Sequence, residues 1–145
     1  MLEKDVVKRF RDECIKQGCQ WIHKNHGGPM SGGRVDQELC FKGVLILAEA
    51  KRSRAELLKD GPGGVTPLQW NDIERCRKAG GVAFAYTVEP AAARGTYYVV
   101  VRWRRDNNDP MRMLLENFIA SLKEDQHKLQ NLHTIFMGAL HVKAH

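Results

Sequence analysis

Residues 36–51, DQELCFKGVLILAEAK, decide the fold of this chain. Residues 44–48 form an uninterrupted apolar run, the mark of a buried strand, and that run ends in Glu49, Ala50 and Lys51. Upstream, residues 35–41 alternate well enough to be a partner strand. Lys42 and Gly43 lie between the two, and glycine tolerates the positive φ that a two-residue hairpin loop needs. With these two residues as the loop, Phe41 faces Val44, Cys40 faces Leu45, and Asp36 falls opposite Glu49. Opposed residues have Cβ atoms roughly 4.5–5.5 Å apart. Lys51 shares the face of Glu49, because side chains alternate along a strand. Val35, Leu39, Phe41, Val44, Ile46, Ala48 and Ala50 make the other face, which is almost wholly apolar and is expected to be core.

Two carboxylates opposed across a strand pair repel each other unless a cation bridges them, one is protonated, or water screens them. Mg²⁺ suits such a pair: it takes oxygen ligands and keeps several waters, so two carboxylates and a backbone carbonyl make a partial cage. A lysine beside it can orient or deprotonate an attacking water and steady charge developing on a phosphate. The hairpin spacing fits equally a plain reading in which Glu49 and Lys51 decorate an exposed edge and Asp36 belongs to a loop.

Two helices bear on that choice. In residues 2–18, Val6, Val7, Phe10 and Cys14 share one helical face, and Glu3 falls at the centre of the stripe. A first-turn glutamate is also favoured by the helix dipole alone. Further on, Thr66, Pro67, Leu68 and Gln69 open a second helix, with Thr66 as N-cap, proline first and glutamine third. Leu68, Ile73, Cys76 and Ala79 are its expected apolar face, and Gln69 sits inside that face. A capping box accounts for Gln69 by itself and still leaves it able to serve a neighbouring site.

In this order, a helical Glu, an Asp, Glu-x-Lys and a Gln in the following helix, the chain resembles the PD-(D/E)xK nuclease superfamily. Residues 21–36, WIHKNHGGPMSGGRVD, are similar to the lysine, glycine-rich loop and G-x-x-D approach of its virus-type replication-repair nuclease (VRR-NUC) branch. So is TPLQ at 66–69, with the glycine-rich loop before it and the apolar strand VAFAYTV at 82–88 after it. The likeness spans roughly residues 3–88, and Val35 stands where that family usually has proline. The resemblance implies an α/β, restriction-endonuclease-like core with a central mixed sheet flanked by helices. It implies hydrolysis of DNA phosphodiester bonds by metal-activated water, on branched or junction DNA in replication or repair. Carried over, Asp36 and Glu49 are metal ligands with the Ala50 carbonyl as a third, and the cofactor is Mg²⁺ or Mn²⁺. Lys51 is the catalytic lysine, with Gln69 and Glu3 supporting. Lys24, Arg34, Arg52 and Arg54 are candidate nucleic-acid contacts. A non-cleaving nucleic-acid-binding module of the same fold is the alternative. A structural phage or host-interaction protein would require every one of these charges to be surface decoration.

Composition agrees. The 145 residues are 43% hydrophobic, enough for one core, and the formal net charge of +6 suits an anionic partner. The excess is spread over Arg9 and Arg11, residues 51–54, 75–78 and 102–105, each a solvated face unless they share a surface. No apolar run approaches a membrane span and no charged-then-apolar leader opens the chain, so an intracellular setting without membrane contact is expected. Cys14, Cys19, Cys40 and Cys76 lack any C-x-x-C spacing and read as reduced packing residues. His23, Asn25 and His26 look superficially like an HNH nuclease, yet they fall in one short expected loop. The glycine-rich residues 60–64 lack the G-K-[ST] ending of a P-loop.

The nuclease domain is expected over residues 1–105, closing with the strand TYYVVVRW at 96–103, antiparallel to VAFAYTV. A C-terminal helical extension is expected over 106–145, capped by Asn108, Asp109 and Pro110. Its apolar Leu115, Phe118, Leu122, Leu129, Leu132 and Phe136 either cover the sheet or form the seam of a homodimer.

Overall fold

A computed structural model describes residues 1–24, 35–41, 43–106 and 109–124. Along them run α1 (Glu3–Lys16), β1 (Trp21–Lys24), β2 (Gln37–Phe41), β3 (Val44–Ala50), α2 (Arg54–Leu58), α3 (Pro67–Lys78), β4 (Val82–Pro90), β5 (Tyr97–Arg102), β6 (Met111–Leu114) and α4 (Leu115–Glu124). The six strands make one sheet in chain order. Every neighbouring pair is antiparallel except β3 and β4, which are parallel. A parallel pair cannot be joined by a hairpin, and here the crossover carries α2 and α3. The protein is therefore α/β with a mixed sheet between helices.

The hairpin has the expected register, with Phe41 opposite Val44, Cys40 opposite Leu45 and Gln37 opposite Ala48. Gly43 holds φ +85°, the conformation its loop position requires. Leu39, Phe41, Ile46, Ala48 and Ala50 bury on the expected face. Val35 does not. It packs on the opposite side of the sheet with Leu57, Val65 and Trp70, because the chain bends at Asp36 and strand alternation begins only at Gln37. The buried polar Gln37 lies on the apolar face instead.

α1 and α4 cover one face. Val6, Phe10 and Cys14 of α1 and Phe118, Ile119 and Leu122 of α4 meet Phe84, Tyr86, Val99 and Val101 of the sheet. Phe118 stands edge-on to Phe84 with centroids 5.3 Å apart. Leu115, Phe118 and Leu122 are thus intrachain core, while Leu129, Leu132 and Phe136 lie outside the described residues. The helix expected directly after Pro110 starts later, because residues 111–114 pair with β5 as strand β6, setting Met111 against Val101. Residues 109–124 accordingly extend the same sheet and core.

α2 and α3 cover the other face over Ala83, Ala85 and Val100. On α3 the buried set is Gln69, Trp70, Ile73 and Cys76, whereas Leu68 is exposed. At 3.6 residues per turn, Leu68 stands about 140° round the helix from Ile73 and Trp70 only about 60°. Trp70 donates from its indole to Asp60 Oδ1 at 3.2 Å, and the Arg102 guanidinium lies 4.9 Å from its ring centroid. Arg102, expected in a surface cluster, is fully buried. It donates to Asp60 Oδ1 at 2.8 Å, Leu57 O at 3.2 Å and Arg105 O at 2.6 Å, tying the crossover to β5. Asp60 is held below the usual carboxylate range, chiefly by that hydrogen bond from Arg102. All four cysteines are free thiols, and Cys14, Cys19 and Cys76 are buried. His23 belongs to β1 rather than to a loop.

Candidate metal and catalytic centre

The hairpin, α1 and α3 meet at the end of β3. Asp36, just ahead of β2, and Glu49 clasp each other through the backbone: Asp36 N–H donates to Glu49 Oε1 at 3.2 Å, and Ala50 N–H donates to Asp36 Oδ2 at 3.1 Å. α1 adds Glu3 from its first turn, and one carboxylate oxygen from each of Glu3, Asp36 and Glu49 lies within 4.8 Å of the others. The helix that carries Glu3 is seated by the sheet. Gln37 Nε2 donates to Val7 O at 3.4 Å, Tyr86 donates its hydroxyl to Gln37 Oε1, and Phe10 packs on the Tyr86 ring at 4.4 Å. Burial first, and the surrounding acidic groups after it, push the Tyr86 hydroxyl well up, so it serves here as a donor.

Lys51 turns back into this cluster. Its Nζ lies 3.3 Å from Glu49 Oε2 and donates to Gln69 Oε1 at 3.1 Å. The same Gln69 oxygen accepts from Thr66 N–H at 3.0 Å, while Thr66 Oγ1 accepts from Gln69 N–H at 3.2 Å. One glutamine therefore closes the capping box of α3 and holds the lysine, so the two readings of Gln69 are a single arrangement. Replacing Gln69 with Ala removes both bonds. The expected loss is about 1 kcal/mol of stability, the net share of one hydrogen bond, measured by urea denaturation.

Glu49 is only 1% exposed. Desolvation pushes its carboxyl well above the ordinary value, hydrogen bonding with and repulsion by Asp36 push the same way, and Lys51 opposes without winning. Glu3 is raised too, by desolvation and then by Asp36. The site thus holds more acid than its one lysine neutralises, and the donors that gather there are all oxygens, with neither thiolate nor imidazole among the three. That set fits Mg²⁺ or Mn²⁺ better than zinc. The Ala50 carbonyl fits as a further donor, since the N–H and C=O of a strand residue face the same edge and its N–H faces Asp36.

The raised carboxyl has a consequence for stability. An acid whose folded pKa exceeds its unfolded value holds its proton more tightly when folded, so its contribution is complete below the unfolded value and lost as pH rises through the folded one. Glu49→Gln cannot ionise. In chelator at neutral pH this variant is expected to melt a few degrees above wild type, the gap narrowing as pH falls towards 4.5, the ordinary glutamate value, and closed below it. Thermal melts across that range measure it.

The structure brings together Glu3, Asp36, Glu49, Ala50, Lys51 and Gln69. It does not add the basic candidates to them. Arg52 Nη2 lies 2.7 Å from Glu56 Oε1, and Arg54 makes two hydrogen bonds to Glu89 at 3.1 and 2.7 Å, both arginines remaining exposed. The side chain of Lys24 and all of Arg34 lie outside the described residues. Sequence reasoning missed Gln37 and Tyr86 as the pair that seats α1. Their signal was a polar residue on an apolar strand face and a tyrosine within an otherwise apolar strand. No described helix is long and apolar enough to cross a membrane. Compared with protein-family models and with curated proteins, the chain matches none.

Proposed function

We propose that this protein is a metal-dependent DNA endonuclease of the PD-(D/E)xK type, VRR-NUC branch, built on a restriction-endonuclease-like core. The observation that carries the reading is the meeting of Glu3, Asp36 and Glu49 with a lysine clamped by Gln69. Asp36, Glu49 and the Ala50 carbonyl would hold the ion, with Glu3 placed to hold one of its waters. Bound Mg²⁺ or Mn²⁺ supplies a water of lowered pKa and stabilises charge on the phosphate. Lys51, held by Gln69 and Glu49, would direct its ammonium at such a water or at a phosphate oxygen, and being held in advance it would spend little on ordering during the reaction. Arg52 and Arg54 reach phosphates by exchanging their carboxylate partners, and the net charge of +6 draws DNA in from a distance.

The test is incubation with Mg²⁺ or Mn²⁺ and a panel of linear, nicked, flapped and four-way DNA. Metal-dependent cleavage, strongest on the branched forms, is expected. Tight binding with no cleavage under any metal would identify the alternative, a nucleic-acid-binding module with a nuclease-like fold. The intact Lys51 clamp favours cleavage, since binding alone has no use for a buried lysine beside an acidic cluster.

A further inference from the structure

Thr87, on β4, is fully buried, and its hydroxyl has no hydrogen-bond partner among the described residues. Its place is set by the parallel pair of β3 and β4. Glu49 lies beside Ala85 and Ala50 beside Tyr86, and Lys51 N–H still donates to Tyr86 O at 2.8 Å, so the register carried one step further sets Lys51 beside Thr87. Alternation then puts Glu49, Lys51, Ala85 and Thr87 on one face. Val100, opposite Thr87 on β5, buries in the layer under α2 and α3 with Ala85 and Leu57.

Among the described residues, Lys51 leaves one donor unused and Thr87 its whole hydroxyl. A lysine ammonium has three N–H groups. Two of those on Lys51 reach Gln69 Oε1 at 3.1 Å and Glu49 Oε2 at 3.3 Å. The hydroxyl of Thr87 has given and taken nothing, and a buried hydroxyl in that state costs desolvation that an isosteric valine does not. We propose that Thr87 is a positioning residue for Lys51, its hydroxyl taking the ammonium's third N–H through one trapped water, since no direct bond joins the two. Gln69 holds the lysine from α3 and Glu49 from its own strand. Thr87 adds a hold from β4, and a third point fixes the direction of Nζ where two leave it a swing. The functional half of this inference rests on the role given to Lys51 above; the contact itself does not.

A double-mutant cycle on the full chain reads the contact without reference to activity. Thr87→Val is expected to lower the denaturation midpoint when Lys51 is present and to leave it unchanged or raise it in a Lys51→Met background. An equal shift in both backgrounds overturns the proposal, because the hydroxyl then owes nothing to the lysine. In cleavage assays at saturating DNA and Mg²⁺, Thr87→Val is expected to lower kcat about tenfold with KM little changed, the scale of effect seen when a residue behind a reacting group is lost. Thr87→Ser, which restores the hydroxyl, should recover most of that turnover. Wild-type kcat in folded Thr87→Val also overturns it. A wild-type protein that cleaves nothing removes the nuclease reading, and the stability cycle still decides whether Thr87 holds Lys51.

Discussion

Asp36→Asn, Glu49→Gln and Lys51→Ala are each expected to lower Mg²⁺-supported DNA cleavage by roughly 10²–10³-fold or more, the scale on which loss of a single preorganised charge-stabilising group is felt. The three fail for different reasons. Asp36→Asn keeps an oxygen that can still accept from Ala50 N–H but loses the charge that a divalent ion needs. Glu49→Gln removes a buried charge that desolvation and Asp36 disfavour, so it should fold better while cleaving worse. That opposition is the useful part, since a variant that is more stable and inactive cannot owe its inactivity to misfolding. Lys51→Ala leaves the carboxylates in place, so Ca²⁺-dependent DNA binding should persist while hydrolysis stops. For the wild type, Ca²⁺ is expected to support binding with little cleavage, and EDTA to stop cleavage altogether. Near wild-type turnover in any of the three, at matched folding and metal, would falsify the assignment of that residue.

The hairpin at the centre of this site was legible in the sequence because a two-residue loop fixes every pair beyond it. With Phe41 paired to Val44 and Gln37 to Ala48, Asp36 at its bend comes to lie next to Glu49. Glu3 and Gln69 were legible for a related reason, since each is a polar residue inside an apolar helical stripe and must face whatever the stripe covers. Short elements gave no such handle. β1 and β6 have four residues each, too few for a period to show, and both are strands only because β2 and β5 have edges to pair with. Arg102 was misread as surface because its environment is made by Asp60 and Trp70, far away in the chain, and no local pattern announces a buried guanidinium. Val35 was misplaced by extending strand alternation one residue past the bend at Asp36.

Leu122→Asp is expected to cost several kcal/mol, enough to unfold a domain of ordinary stability. Leu122 is fully buried in the layer formed by Phe10, Phe84 and Phe118. Aspartate there forfeits the packing of a leucine, worth about 2–5 kcal/mol when truncated to alanine, and adds a charge with no partner among the side chains of that layer. The same substitution separates the two roles open to the C-terminal apolar residues. At an intermolecular seam, a mutant would dissociate and stay folded. In a core that closes α4 over β5, it should lose its cooperative melt at any protein concentration. The burial of Leu115, Phe118 and Leu122 against their own sheet favours the second outcome for this stretch. Sedimentation of the wild type at tens of micromolar, beside thermal melts of both proteins, tests it. A folded, dissociated Leu122→Asp would place α4 at an interface and overturn the packing described. A protein that is monomeric when wild type and unfolded when mutant presents one catalytic centre per encounter, and its expected first product on duplex DNA is then a nick rather than a double-strand break.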